Sequence, residues 1–105
     1  MDETDEQVKN GNGIDHCFIF DQALAPQSQL HMHAIVKHGG VQLTVRSNQP
    51  AMHLYTGNFM DGSIVDRIGP CRFRECFCCE PETIPNAVNR PDFNENVVFG
   101  KDQKY

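Results

Sequence analysis

A chain of 105 residues, 39% hydrophobic and 22% charged, has the composition of one small soluble domain with one modest core. A net charge of -5 offers no basic patch to neutralise phosphates, which argues against nucleic acid as a partner. No apolar run approaches the roughly 20 residues of a membrane helix, and the acidic start Met1-Asp2-Glu3-Thr4-Asp5-Glu6 lacks the basic and apolar regions of a secretory signal, so the expected location is the cytoplasm, off the membrane.

Residues 1–12 are acidic and polar and read as a flexible, frayed end. Asn10-Gly11-Asn12-Gly13 is a turn or loop. Residues 14–20 are short and β-prone and predict a strand. Residues 21–29, with Pro26, read as a loop. Residues 30–37 predict a second strand, with His31, His33, Ile35 and Lys37 on one face and Met32, Ala34 and Val36 on the other. His38-Gly39-Gly40 is a hairpin turn. Residues 41–46 alternate cleanly, with Val41, Leu43 and Val45 directed inward. Asn48-Gln49-Pro50 is another turn, residues 51–55 are a short strand, and residues 57–70 read as loop. The end, 94–105, reads as coil around the apolar Val97-Val98-Phe99. With no internal repeat and no amphipathic helix, the expected class is all-β, with at least four mainly antiparallel strands.

Cys17, Cys71, Cys76, Cys78 and Cys79 make an odd number, and without an export signal they are expected to be reduced. Cys76 and Cys79 have the spacing of a zinc or redox pair. On a strand they would face opposite sides, and no second pair follows, so buried structural thiols are the preferred reading. His31 and His33 put two imidazoles on one strand face without a third ligand in view, which favours a solvated polar face over a metal site.

Residues 72–80 predict a strand that stops at Pro81, because proline cannot donate to a strand ladder. On such a strand Cys76, Cys78 and Glu80 share a face. Glu80 stands at its end, before a loop punctuated by Pro81, Pro85 and Pro91. A carboxylate there, partly buried beside small thiols, would be a suitable general base. The bland alternative is a solvated strand-end glutamate.

Several segments in order resemble the aldose 1-epimerases, or galactose mutarotases. They are Gly13-Ile14-Asp15-His16-Cys17-Phe18, Gln49-Pro50, Tyr55-Thr56-Gly57-Asn58-Phe59-Met60-Asp61-Gly62, and Phe77-Cys78-Cys79-Glu80 followed by Ile84-Pro85-Asn86-Ala87 and Asn89-Arg90-Pro91-Asp92-Phe93. The resemblance implies a place in a galactose mutarotase-like β-sandwich (supersandwich), with residues 13–105 as the C-terminal part of the domain. It implies interconversion of the α and β anomers of hexoses such as galactose and glucose, with no cofactor and no metal. Glu80 matches the family's base, and Asp15 matches an aspartate that binds sugar hydroxyls. His16 is not assigned the acid role, since the family's acid and sugar-binding histidines belong to segments upstream of those matched here. Pro81 and Glu82 stand where the family has threonine and glutamine. A partial sandwich would leave open sheet edges, so pairing with another chain or self-association is expected. A non-catalytic carbohydrate-binding or interaction module derived from a shortened mutarotase is the alternative.

Overall fold

The computed structural model describes residues 4–21, 29–93 and 98–102. Most of the loop expected at 21–29, and Val97 of the C-terminal apolar patch, lie outside these residues. Five strands and little helix make up the described chain, so it is all-β. They are β1 (Asp15–Ile19), β2 (His31–His38), β3 (Val41–Ser47), β4 (Ala51–Tyr55) and β5 (Cys78–Glu82). Three of them form one sheet in the order β1-β4-β5, and β2 and β3 form a second.

The stretch read as a frayed end contains a short helix, α1 (Glu6–Asn10). Asp5 caps it, its Oδ1 accepting from the amides of Gln7 at 2.8 Å and Val8 at 3.3 Å. Glu6 in the first turn and Lys9 in the last complement the helix dipole.

The β2–β3 hairpin has the expected turn. Gly39 and Gly40 both take positive φ, 56° and 81°, between the paired His38 and Val41, as a two-residue turn matched to strand twist requires. The face assignment on β2 is corrected. The register slips between Met32 and Ala34, so one extra residue is inserted at His33. Half-burial accordingly falls on His31 and His33 before the bulge and on Ala34 and Val36 after it, while Ile35 and Lys37 are exposed. A bulge flips the alternation, which a strict period of two cannot anticipate. The inward face expected on β3 is also only partly buried, since Val41 is 71% and Leu43 45% exposed.

The strand expected over 72–80 is shifted. Residues 72–75 form a turn, in which Glu75 N–H donates to Arg72 C=O at 3.1 Å and Arg72 N–H to Glu75 Oε2 at 3.2 Å. Arg74 has φ of 59°, which no strand residue adopts. The strand begins at Cys78 and passes through Pro81 to Glu82. It can do so because β5 ends the strand order, and an edge strand tolerates a missing amide on its outer side. In place of Cys76, Cys78 and Glu80, the alternating set on the strand is Cys78, Glu80 and Glu82.

The chain divides into two compact units. One comprises residues 1–18 and 53–80, and the other residues 19–52 and 81–105. In the second unit Ala51, Met52 and Ala87 are the buried hydrophobic residues, and the Phe20 and His33 rings pack with centroids 4.3 Å apart. In the first unit the most buried polar side chain is Asn58, 2% exposed. Asp15, His53 and Glu80 all belong to this first unit.

Candidate functional site

Asp15 opens β1. Thr56 N–H donates to Ile14 C=O at 3.0 Å, and Phe20 N–H donates to Pro50 C=O at 3.0 Å. The two bonds flank β1 and β4 and sum to the same register, so the strands run antiparallel without a net slip. Counting inward puts Asp15 opposite Tyr55 and diagonal to His53, on the same face of the sheet. The side chains meet: His53 Nε2 lies 2.7 Å from Asp15 Oδ1. They are 28% and 36% exposed, respectively. A carboxylate oxygen accepts, so His53 donates through Nε2–H.

The backbone of Asp15 is fixed as well. Its N–H donates to Nδ1 of His16 at 2.9 Å. This contact occupies one ring nitrogen of His16 with the main chain.

Just before Asp15 the chain passes through a polar knot. Asn58 Nδ2 donates to Gly11 C=O at 2.9 Å and to Ile14 C=O at 2.8 Å, while Asn58 Oδ1 accepts from Thr56 Oγ1 at 2.7 Å. Thr56 Oγ1 in turn accepts from Ile14 N–H at 3.1 Å, and Asn12 Nδ2 donates to Asn58 C=O at 3.1 Å. Gly13 sits inside this knot with φ of 141°, and a Cβ there would fall 2.1 Å from Asn58 Oδ1. Glycine is required on both counts. Segments 11–14 and 56–58 are thus tied together directly beneath Asp15. Across the same loop Tyr55 Oη accepts from Phe59 N–H at 2.9 Å, with the two rings stacked 6.5 Å apart.

Glu80 lies on β5 and is exposed rather than partly buried as expected. An outer strand with solvent on its free side does not bury an alternating carboxylate. Its charge is felt by Cys78: burial pushes the Cys78 thiol up, and the carboxylate of Glu80 pushes it further. Burial alone pushes Cys79 up. None of the five cysteines is joined in a disulfide. Among the described residues no three His, Cys, Asp or Glu side chains come together as metal ligands, and no helix is long and apolar enough to cross a membrane. A depression of about 430 Å³ beside the knot is lined by Val8, Lys9, Asn12, Gly13, Phe73 and Arg74. Asp15, His53 and Glu80 do not line it.

The structure therefore puts Asp15 and Glu80 on the two outer strands of one sheet, with β4, the strand that carries His53, between those strands. His53 did not stand out in the sequence, and Asn58 stood in a quoted motif without a structural role assigned to it. His53 had a recoverable signal, an imidazole on the strand between two turn-bounded segments, but nothing that named Asp15 as its partner.

A family model described as aldose 1-epimerase matches residues 1–105. The chain is 38% identical over 85 residues to a galactose mutarotase from Homo sapiens, covering 78% of this chain and 24% of that protein. It is 36% identical over 83 residues to one from Sus scrofa, with the same shares. It is 27% identical over 95 residues to an aldose 1-epimerase from Escherichia coli, covering 90% of this chain and 27% of that protein. The chain spans about a quarter of the length of these curated relatives. No solved structure gives a significant match.

Proposed function

The chain belongs to the aldose 1-epimerase family, and on that premise we propose that it carries one wall of a site that interconverts the α and β anomers of aldoses such as galactose and glucose. Glu80 is the general base and Asp15 accepts hydrogen bonds from sugar hydroxyls. The base removes the proton of the anomeric hydroxyl while an acid delivers one to the ring oxygen. The C1–O5 bond breaks, the C1–C2 bond rotates, and the ring closes on the other face of the carbonyl. Protons move and the C1–O5 bond breaks and re-forms with no net oxidation or reduction, so the chemistry calls for no redox cofactor. The acid is assigned to no residue of this chain.

One observation carries this reading. Asp15 and Glu80 occupy strands separated by one intervening strand. At roughly 4.8 Å per strand spacing, the axes of β1 and β5 stand about 10 Å apart across the sheet, which leaves width for a pyranose over β4. The proposed setting is the cytoplasm. The many exposed large hydrophobic side chains and the edge strand β5 support association with a second polypeptide, through strand pairing or through burial of the apolar surface.

The test is mutarotation of freshly dissolved α-D-galactose and α-D-glucose, followed by polarimetry against buffer. Acceleration is expected in the wild type and is expected to vanish in Glu80→Gln, which keeps the shape and loses the base; a positioned base typically contributes roughly 10²- to 10⁴-fold. Asp15→Asn keeps one acceptor and swaps the other for a donor, so it should raise KM more than it lowers kcat. Acceleration that survives Glu80→Gln removes the assignment of the base.

A second reading is favoured by the exposure of Glu80. On this reading the chain is a non-catalytic carbohydrate-binding or interaction module. Saturable sugar binding with no acceleration over buffer would select it.

A further inference from the structure

The Asp15–His53 contact has a use that neither proposed carboxylate role requires. An aspartate at the start of a strand and one-third exposed can rotate about its carboxyl torsion, which has broad, shallow preferences. Here it is held at both ends. His16 Nδ1 holds its amide at 2.9 Å, and His53 Nε2–H holds Oδ1 at 2.7 Å. The histidine comes from β4, the middle strand of the sheet, so its own position is set by neighbours on both sides. With Oδ1 engaged, the direction of Oδ2 is determined by the plane of the carboxylate.

We propose that His53 is a positioning residue for sugar binding: its Nε2–H fixes one oxygen of Asp15 so that the other is presented, in a single orientation, to a hydroxyl of the bound pyranose. The inference rests on the reading of Asp15 as a sugar ligand. A charge-assisted hydrogen bond is strong enough to hold this geometry. Prepaying the orientation of an acceptor improves binding by removing an ordering cost from the complex. His53 itself touches no reacting atom in this scheme.

The experiment is a titration of the full chain with D-galactose, followed by chemical shifts of the labelled protein. His53→Ala should weaken binding about tenfold, as expected for loss of a hydrogen bond to a charged group that acts only through orientation. His53→Gln, whose side-chain amide can donate to the same oxygen, should recover most of that loss. A role in stability alone would not follow the donor in this way. In an Asp15→Asn background, His53→Ala should have little further effect, because the two residues act as one unit. Equal galactose binding by wild type and His53→Ala, or losses that simply add in the double variant, overturns the inference while leaving Asp15 as a sugar ligand. A wild-type chain that binds no galactose overturns the sugar-site reading, and the inference falls with it.

Discussion

The knot around Asn58 makes a quantitative demand on the structure. In Asn58→Ala three side-chain hydrogen bonds disappear, those to Gly11 C=O, Ile14 C=O and Thr56 Oγ1. The residue is 2% exposed, so water does not readily replace them. At a net of about 1 kcal/mol each, the loss is about 3 kcal/mol, before any penalty for carbonyls left without a donor. Since about 1.4 kcal/mol corresponds to a factor of ten, the segment around Asp15 should open roughly 100-fold more often. Amide hydrogen exchange reads this directly. The amides of Ile14 and Thr56, bonded to Thr56 Oγ1 and Ile14 C=O, should exchange about two orders of magnitude faster, while amides of the β2–β3 hairpin serve as the reference. Gly13→Ala should act in the same direction, because its Cβ would displace Asn58 Oδ1 and its backbone conformation would be strained. If Ile14 and Thr56 exchange in Asn58→Ala within about twofold of wild type, the knot is not what holds this loop.

Two further outcomes are expected. His33 has its pKa lowered below 6.5, first by burial and then by the positive charge of His31. Its folded state therefore binds a proton less readily than the unfolded chain, so stability is full above about pH 6.5 and falls as pH drops through the lowered value; the thermal midpoint should decline on acidification in wild type and decline less in His33→Phe. Cys78 and Cys79, both pushed up, should alkylate slowly near pH 8, and Glu80→Gln should speed Cys78 without changing Cys79, measured by mass spectrometry of peptides over time. Equal acceleration of both thiols would show that the carboxylate does not act on Cys78 specifically.

What was legible in the sequence was whatever depends on local chemistry. Gly39-Gly40 announces a two-residue hairpin because few residues other than glycine adopt positive φ twice in succession without strain. The short β-prone segments at 14–20 and 51–55 became β1 and β4 almost as bounded. What was hidden depends on long-range pairing. Pro81 reads as a strand stop until the strand is known to lie at an edge, where its missing amide is harmless. The bulge at His33 adds one residue to one strand and exchanges the faces of everything after it, with no residue type that marks the spot. Arg74, with positive φ, interrupts the strand expected over 72–80 although nothing in its side chain requires that conformation.

Asp15 shows how the two kinds of information meet. Its candidacy came from a short motif, Gly13 to Phe18, and a second motif, Tyr55 to Gly62, belongs to the same family resemblance. The structure joins them through Asn58, which bridges Gly11 and Ile14 to Thr56. Gly13 belongs to the first motif because any larger residue would strike Asn58 of the second. The residues that identify the family are therefore the ones that hold the first turn of β1, and Asp15 is the next position but one after Gly13. His53 then enters from the strand leading into the second motif and reaches the carboxylate at 2.7 Å. A substitution that loosens the knot should thus disturb Asp15 without touching it, and the Asn58 variants test the scaffold and the proposed sugar ligand at the same time.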